Sequence, residues 1–78
     1  MIPLPTKVYN QIRQIQNSQM PSDMRNVAYI LFICRTTKMT EAEAWINANP
    51  LAYMQGTVEG FEVDNTQKSQ LEEIHRNN

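Results

Sequence analysis

The sequence holds one cysteine, one tryptophan, one histidine and two glycines among 78 residues, and each scarcity removes a class of chemistry. A single cysteine closes no internal disulfide. Cys34 lies inside an apolar run, where a thiol packs as a small hydrophobe, so a reducing compartment is expected. One histidine beside one cysteine falls short of the ligand count of a metal site, and no glycine-rich phosphate loop occurs. His75 stands in a polar C-terminal stretch far along the chain from Cys34, so the pair is not read as base and nucleophile. Glu59, Glu62 and Asp64 cluster without the spacing of a calcium loop. No catalytic residue, metal ligand or cofactor follows, and the chain reads as non-enzymatic. Long apolar runs are missing too. The longest, Val27 to Cys34, is well short of the roughly 20 residues that span a bilayer. The opening "MIPLPTKVYNQ" has neither the basic nor the apolar region of a secretory signal. No membrane partner and a cytoplasmic location are expected.

What remains is 41% hydrophobic and 19% charged, a balance that folds. Residues 1–78 are read as a single small helical domain with a thin core and with residues 75–78 loosely ordered. Charge is divided along the chain. Up to Met39, Lys7, Arg13, Arg25, Arg35 and Lys38 stand against Asp23 alone; from Thr40 onward, Glu41, Glu43, Glu59, Glu62, Asp64, Glu72 and Glu73 stand against Lys68 and Arg76. The plain meaning is that two solvated faces attract each other across the fold. The sharper one is that one pole meets a partner of opposite charge.

The periodicity predicts an all-α fold, a bundle of four to five short helices. Leu4, Val8, Ile12 and Ile15 recur at helical spacing, which gives an amphipathic helix from Pro5 or Thr6 to about Asn17. "NSQMPS" breaks it at Pro21, and Ser22 is the expected cap of a second helix with Asp23 in its first turn. That helix carries "NVAYILFICR". Its apolar residues run all the way round, including a stripe of Met24, Val27, Ala28, Leu31 and Cys34, so it is expected to be buried on every side, either at the centre of the domain or partly against another chain. A strand competes for residues 27–34, since Val, Tyr, Ile and Phe favour strands, but no pairing partner is visible. Thr40 and Glu43 have the spacing of a capping box at the start of a third helix, with Ala42, Trp45 and Ile46 inward. Asn49 and Pro50 end it and begin a fourth, with Leu51, Met54, Val58 and Phe61 at helical spacing and Gly60 as its stop. Phe61 to Val63 suits a short extended piece. The polar remainder suits a last helix docked only through Leu71 and Ile74.

Helix, turn and helix over residues 41–59 outline a DNA-reading unit, but the second helix has no basic residue and carboxylates flank it. A nucleic-acid contact would instead fall to Lys7, Arg13, Arg25, Arg35 and Lys38, a sparse footprint. Aromatic anchors with an acidic rim fit protein binding better. Trp45, Tyr53, Glu59, Phe61 and Glu62 are the candidate contact residues, with Tyr53 and Phe61 expected to be accessible.

The stretch "NPLAYMQGTVEGFEVD" resembles a segment of small uncharacterised proteins from phages and prophages of low-GC Gram-positive bacteria. The matching positions are Asn49, Tyr53, Glu59, Gly60, Phe61, Glu62 and Val63, while Thr57 stands where a tryptophan is frequent in that group. The resemblance implies a phage or prophage origin and a place in the host cytoplasm. It transfers no catalytic residue. The expected function is therefore that of a phage accessory protein that binds a host or phage protein, with inhibition of that protein and a homo-oligomer as further expectations. The alternatives are a small nucleic-acid-binding transcriptional regulator working through the basic half, and a small structural or assembly subunit of a phage.

Overall fold

Three apolar residues spaced along one stripe decide the first helix. In the computed structural model, which describes residues 1–64, α1 (Thr6–Ser18) turns Val8, Ile12 and Ile15 into the core and its polar residues outward. Before it lies β1 (Ile2–Leu4). This strand was not foreseen, but its cause is local. Pro3 and Pro5 each bias the residue before them away from helical geometry, which leaves Ile2 and Leu4 extended.

Pro21 opens a single turn, α2 (Pro21–Met24), after Met20 takes extended geometry. Here the expected second helix divides. Ser22 lies inside the short turn and caps nothing, because the chain breaks after Met24. The longer helix, α3 (Val27–Thr36), starts anew from Asn26, whose Oδ1 accepts the Tyr29 N–H at 3.1 Å. Residues 27–34 are helical and not a strand. They are not buried all round, however. Ile30 and Cys34 are buried; Val27, Tyr29, Leu31 and Ile33 are half-buried; Ala28 and Phe32 are exposed. The domain is too small to surround a helix, since neighbours reach only one side of it.

The next helix is α4 (Thr40–Ala48), with Ala42 and Ile46 buried. The capping box does not form. Met39 holds the cap position, the Thr40 hydroxyl donates to Glu41 Oε2 at 2.6 Å, and Glu43 turns to Arg35 instead. The exposed amides of this helix start are served from another helix. Gln11 Oε1 of α1 accepts the Ala42 N–H at 2.8 Å, and its Nε2 donates to Glu41 Oε1 at 3.0 Å. Asn49 separates α4 from α5 (Pro50–Glu59), with Pro50 in the first turn. The Asn49 side chain donates back to the Trp45 carbonyl at 3.0 Å and so finishes α4, while making no cap bond to α5.

Gly60 ends α5 at φ +98°, a backbone conformation that side-chain-bearing residues rarely adopt. The turn delivers β2 (Phe61–Val63) alongside β1 in parallel, with Ile2 opposite Phe61 and Leu4 opposite Val63. Ile2 N–H to the Gly60 carbonyl and Asp64 N–H to the Leu4 carbonyl extend the pairing at both ends. The fold is thus mostly helical: five helices and a small two-stranded parallel sheet among the described residues. Leu4, Ile12, Ile30, Cys34, Ile46 and Tyr53 form the centre of the core. The expected last helix through Leu71 and Ile74, and the loose residues 75–78, lie outside the described residues.

Candidate contact surface

The helix expected as the fourth is α5, and it faces the opposite way from its apolar period. α5 buries Tyr53 and Gly56, while Leu51 is 84% exposed, Val58 77% and Met54 37%. Two side-chain facts turn it. The Tyr53 hydroxyl donates to the Met24 carbonyl at 2.6 Å, a bond worth most where water is absent. The Phe61 ring then lies against the bare Gly56, where a Cβ would stand 2.0 Å from Cε1. Tyr53 and Phe61 stack with ring centroids 5.8 Å apart. Burying one aromatic ring beside another outweighs burying Leu51 and Val58.

The candidate contact residues are divided by this turn. Tyr53 is fully buried and Phe61 nearly so, which corrects the expectation that both are accessible. They belong to the core because Gly56 and Gly60 let the chain fold Phe61 back onto α5. Trp45 is half-buried against the core. Glu59 and Glu62 are exposed, Glu59 accepting a bond from Gln55 at 2.6 Å. Beside them the apolar period of this segment, Leu51, Met54 and Val58, forms a line on the outer face of α5. The i, i+3, i+7 spacing was readable, but its direction was not. The signal available was Gly56, which stands three residues after Tyr53 and so shares its face.

The basic residues have different partners. Lys7 Nζ lies 3.3 Å from Glu41 Oε1, and Arg35 Nη2 lies 3.2 Å from Glu43 Oε2, so both pair with α4. Arg13 sits over the Tyr9 ring, 5.9 Å from its centroid. Arg25 borders a shallow cleft of about 200 Å³ together with Gln16, Gln19, Pro21, Met24 and Thr57. Lys38 is exposed beyond the end of α3, at φ 60°. Among the described residues, opposite charges in the two halves meet across the α1–α4 and α3–α4 contacts.

Among the described residues three ionisable groups are shifted. The hydroxyl of Thr40, then the Gln11 amide and Lys7, stabilise the Glu41 carboxylate and hold it below the usual range. Burial pushes the Cys34 thiol up to about 11, with Glu43 adding to the effect. Burial also raises the Tyr53 phenol, and neighbouring Cys34 reinforces it. A thiol held neutral in this way is a poor nucleophile. Among the described residues no group of His, Cys, Asp and Glu is placed to hold a metal ion, and no helix is long and apolar enough to cross a membrane.

No family model, curated protein or solved structure matches this chain.

Proposed function

We propose that this chain is a non-enzymatic protein-binding module, a phage or prophage accessory protein that engages and inhibits a host or phage protein in the host cytoplasm. The observation that carries the reading is the apolar line Leu51, Met54 and Val58 on the outer face of α5, with Leu51 84% and Val58 77% exposed. Single exposed apolar residues are ordinary, but three at helical spacing on one face resemble the anchors of a helix-in-groove contact. Glu59 and Glu62 supply a polar, acidic rim. The resemblance of "NPLAYMQGTVEGFEVD" to phage and prophage proteins supports the origin. The pairing of Lys7 and Arg35 with carboxylates weakens the nucleic-acid alternative, because paired cations release fewer counterions on meeting phosphates.

The test is capture of partners by the tagged full chain from a Gram-positive lysate treated with nuclease, beside Leu51→Asp and Val58→Asp. A stoichiometric protein retained by the wild-type chain and lost from both variants is the expected result. Recovery of nucleic acid, or a captured protein indifferent to both substitutions, would overturn the reading.

A further inference from the structure

We propose that the outer face of α5 receives the outer face of α3 from a second copy of this chain, joined head to tail. The proposal rests on reading the α5 face as a contact surface and adds the identity of one occupant.

α3 has an apolar outer face of its own. At about 3.6 residues per turn, Phe32 lies opposite the buried line of Ile30 and Cys34, and it is 57% exposed with the small Ala28 one turn before it. On α5, Leu51 and Val58 lie opposite buried Tyr53 in the same way. The two buried lines belong to one core, since Ile30, Cys34 and Tyr53 lie in the same buried cluster and the Tyr53 hydroxyl donates to the carbonyl of Met24, at the end of α2 just before α3. The two outer faces therefore turn away from each other. They cannot satisfy one another within one copy, but they can between copies. Unlike faces on opposite sides of a molecule make a heterologous contact that repeats.

Charge selects this pairing over face-to-itself pairings. The end of α3 is followed by exposed Lys38, while Arg35 already pairs with Glu43 of its own copy; the end of α5 carries Glu59, then Glu62, and both are exposed. Laid parallel, α3 of one copy and α5 of the next bring opposite charges beside an apolar centre of Phe32, Leu51 and Val58. Two α5 faces bring the carboxylates Glu59 and Glu62 against their own copies, and two α3 faces bring Lys38 against Lys38. Each helix has 10 residues and spans about 15 Å, so the contact is small and the association correspondingly weak.

The experiment is sedimentation velocity on the full chain from low to high micromolar concentration, at low salt and at about 1 M, where the screening length falls to about 3 Å. The wild-type chain is expected to pass beyond the dimer as concentration rises, and to do so less in high salt. Phe32→Asp and Leu51→Asp, both substituted at exposed positions and checked for an unchanged circular dichroism spectrum, are each expected to be monomeric alone. Mixed in equal amounts they should form a dimer that grows no further, because each retains the face the other has lost. A wild-type monomer throughout, self-association of either variant at the wild-type level, or a mixture that stays monomeric would overturn the proposal. If it falls while Leu51→Asp still loses the captured protein of the lysate experiment, the α5 contact reading stands without the second copy. If Leu51→Asp changes neither result, both fall.

Discussion

α1 and α5 carry apolar residues at the same kind of helical spacing, yet one buries them and the other displays them. α1 puts Val8, Ile12 and Ile15 in the core, whereas α5 puts Tyr53 and Gly56 there and leaves Leu51 and Val58 in solvent. Nothing on α1 competes with its aliphatic stripe, because its other positions, apart from half-buried Tyr9, are polar. On α5 two faces compete. The winner is the one whose aromatic ring finds both a hydrogen-bond acceptor and a second ring. Hydrophobic period thus fixes that a segment is helical, while the direction it faces is fixed by whichever side has the better partner.

The largest expected effect tests the α1 side of that contrast. Ile12 is 1% exposed, so Ile12→Ala should cost about 2 to 5 kcal/mol in chemical denaturation, through lost transfer energy and the cavity left behind. A loss below about 1 kcal/mol would mean the site collapses freely, against the close packing expected of a buried aliphatic side chain. Next in size is Gly56→Ala. It adds a helix-favouring methyl group, but the new Cβ would meet the Phe61 ring at 2.0 Å. The net expectation is destabilisation by about 1 to 3 kcal/mol, because the ring must leave its place against α5. A more stable Gly56→Ala variant would show that α5 faces the core through another side. Tyr53→Phe keeps the ring and removes the donor to the Met24 carbonyl, and should cost about 1 to 2 kcal/mol. An unchanged denaturation midpoint would show that packing alone orients the helix.

How far the fold was legible follows from how local each cause is. α1, the helical state of α3, the Asn49–Pro50 boundary, the Gly60 stop and the extended Phe61–Val63 piece all depend on residues within a turn or two, and the sequence displays them. Pro3 and Pro5 extend Ile2 and Leu4 locally, but their pairing with Phe61–Val63 joins residues near the two ends of the described chain, and no local pattern announces that pairing. The start of α4 is completed by Gln11, 31 residues before Ala42, so the Thr40–Glu43 spacing suggested a cap that a distant side chain supplies instead. The candidate site suffered in the same way. Exposure of Glu59 and Glu62 is what charge alone leads one to expect, but burial of Tyr53 and Phe61 depends on a carbonyl in α2 and on a glycine lacking its Cβ. Aromatic residues beside acidic ones look alike in sequence whether the rings face water or each other.

Alkaline pH probes the same buried centre from the side of ionisation. Cys34 titrates at about 11 in the fold against 9.0 as its ordinary value. Between these values the unfolded chain has lost the proton and the folded chain keeps it, so stability is intact below pH 9 and falls as pH rises through that window. Tyr53, raised in the same direction, adds a further fall at higher pH. Thermal midpoints from pH 7 to about 10.5 should decline from about pH 9 in the wild-type chain, and the decline should begin later in Cys34→Ala. Identical curves for the two chains would show that the thiol is not held neutral by its surroundings.

The smallest expected effect on stability sharpens the contrast most. Leu51 is an aliphatic residue at helical spacing, as Ile12 is, but it is 84% exposed. Leu51→Ala removes little area from contact, and alanine is slightly the better helix former, so the denaturation midpoint should move by no more than the equivalent of about 0.5 kcal/mol. Set beside Ile12→Ala, the same loss of an aliphatic side chain from the same kind of helical pattern should differ several-fold in cost. A loss above about 2 kcal/mol at Leu51 would place that side chain against a covering group in the isolated chain. The outer face of α5 would then be a second layer of core, and neither a partner protein nor a second copy would find it open. A near-silent substitution leaves the apolar line in water, where its only gain in burial comes from another molecule.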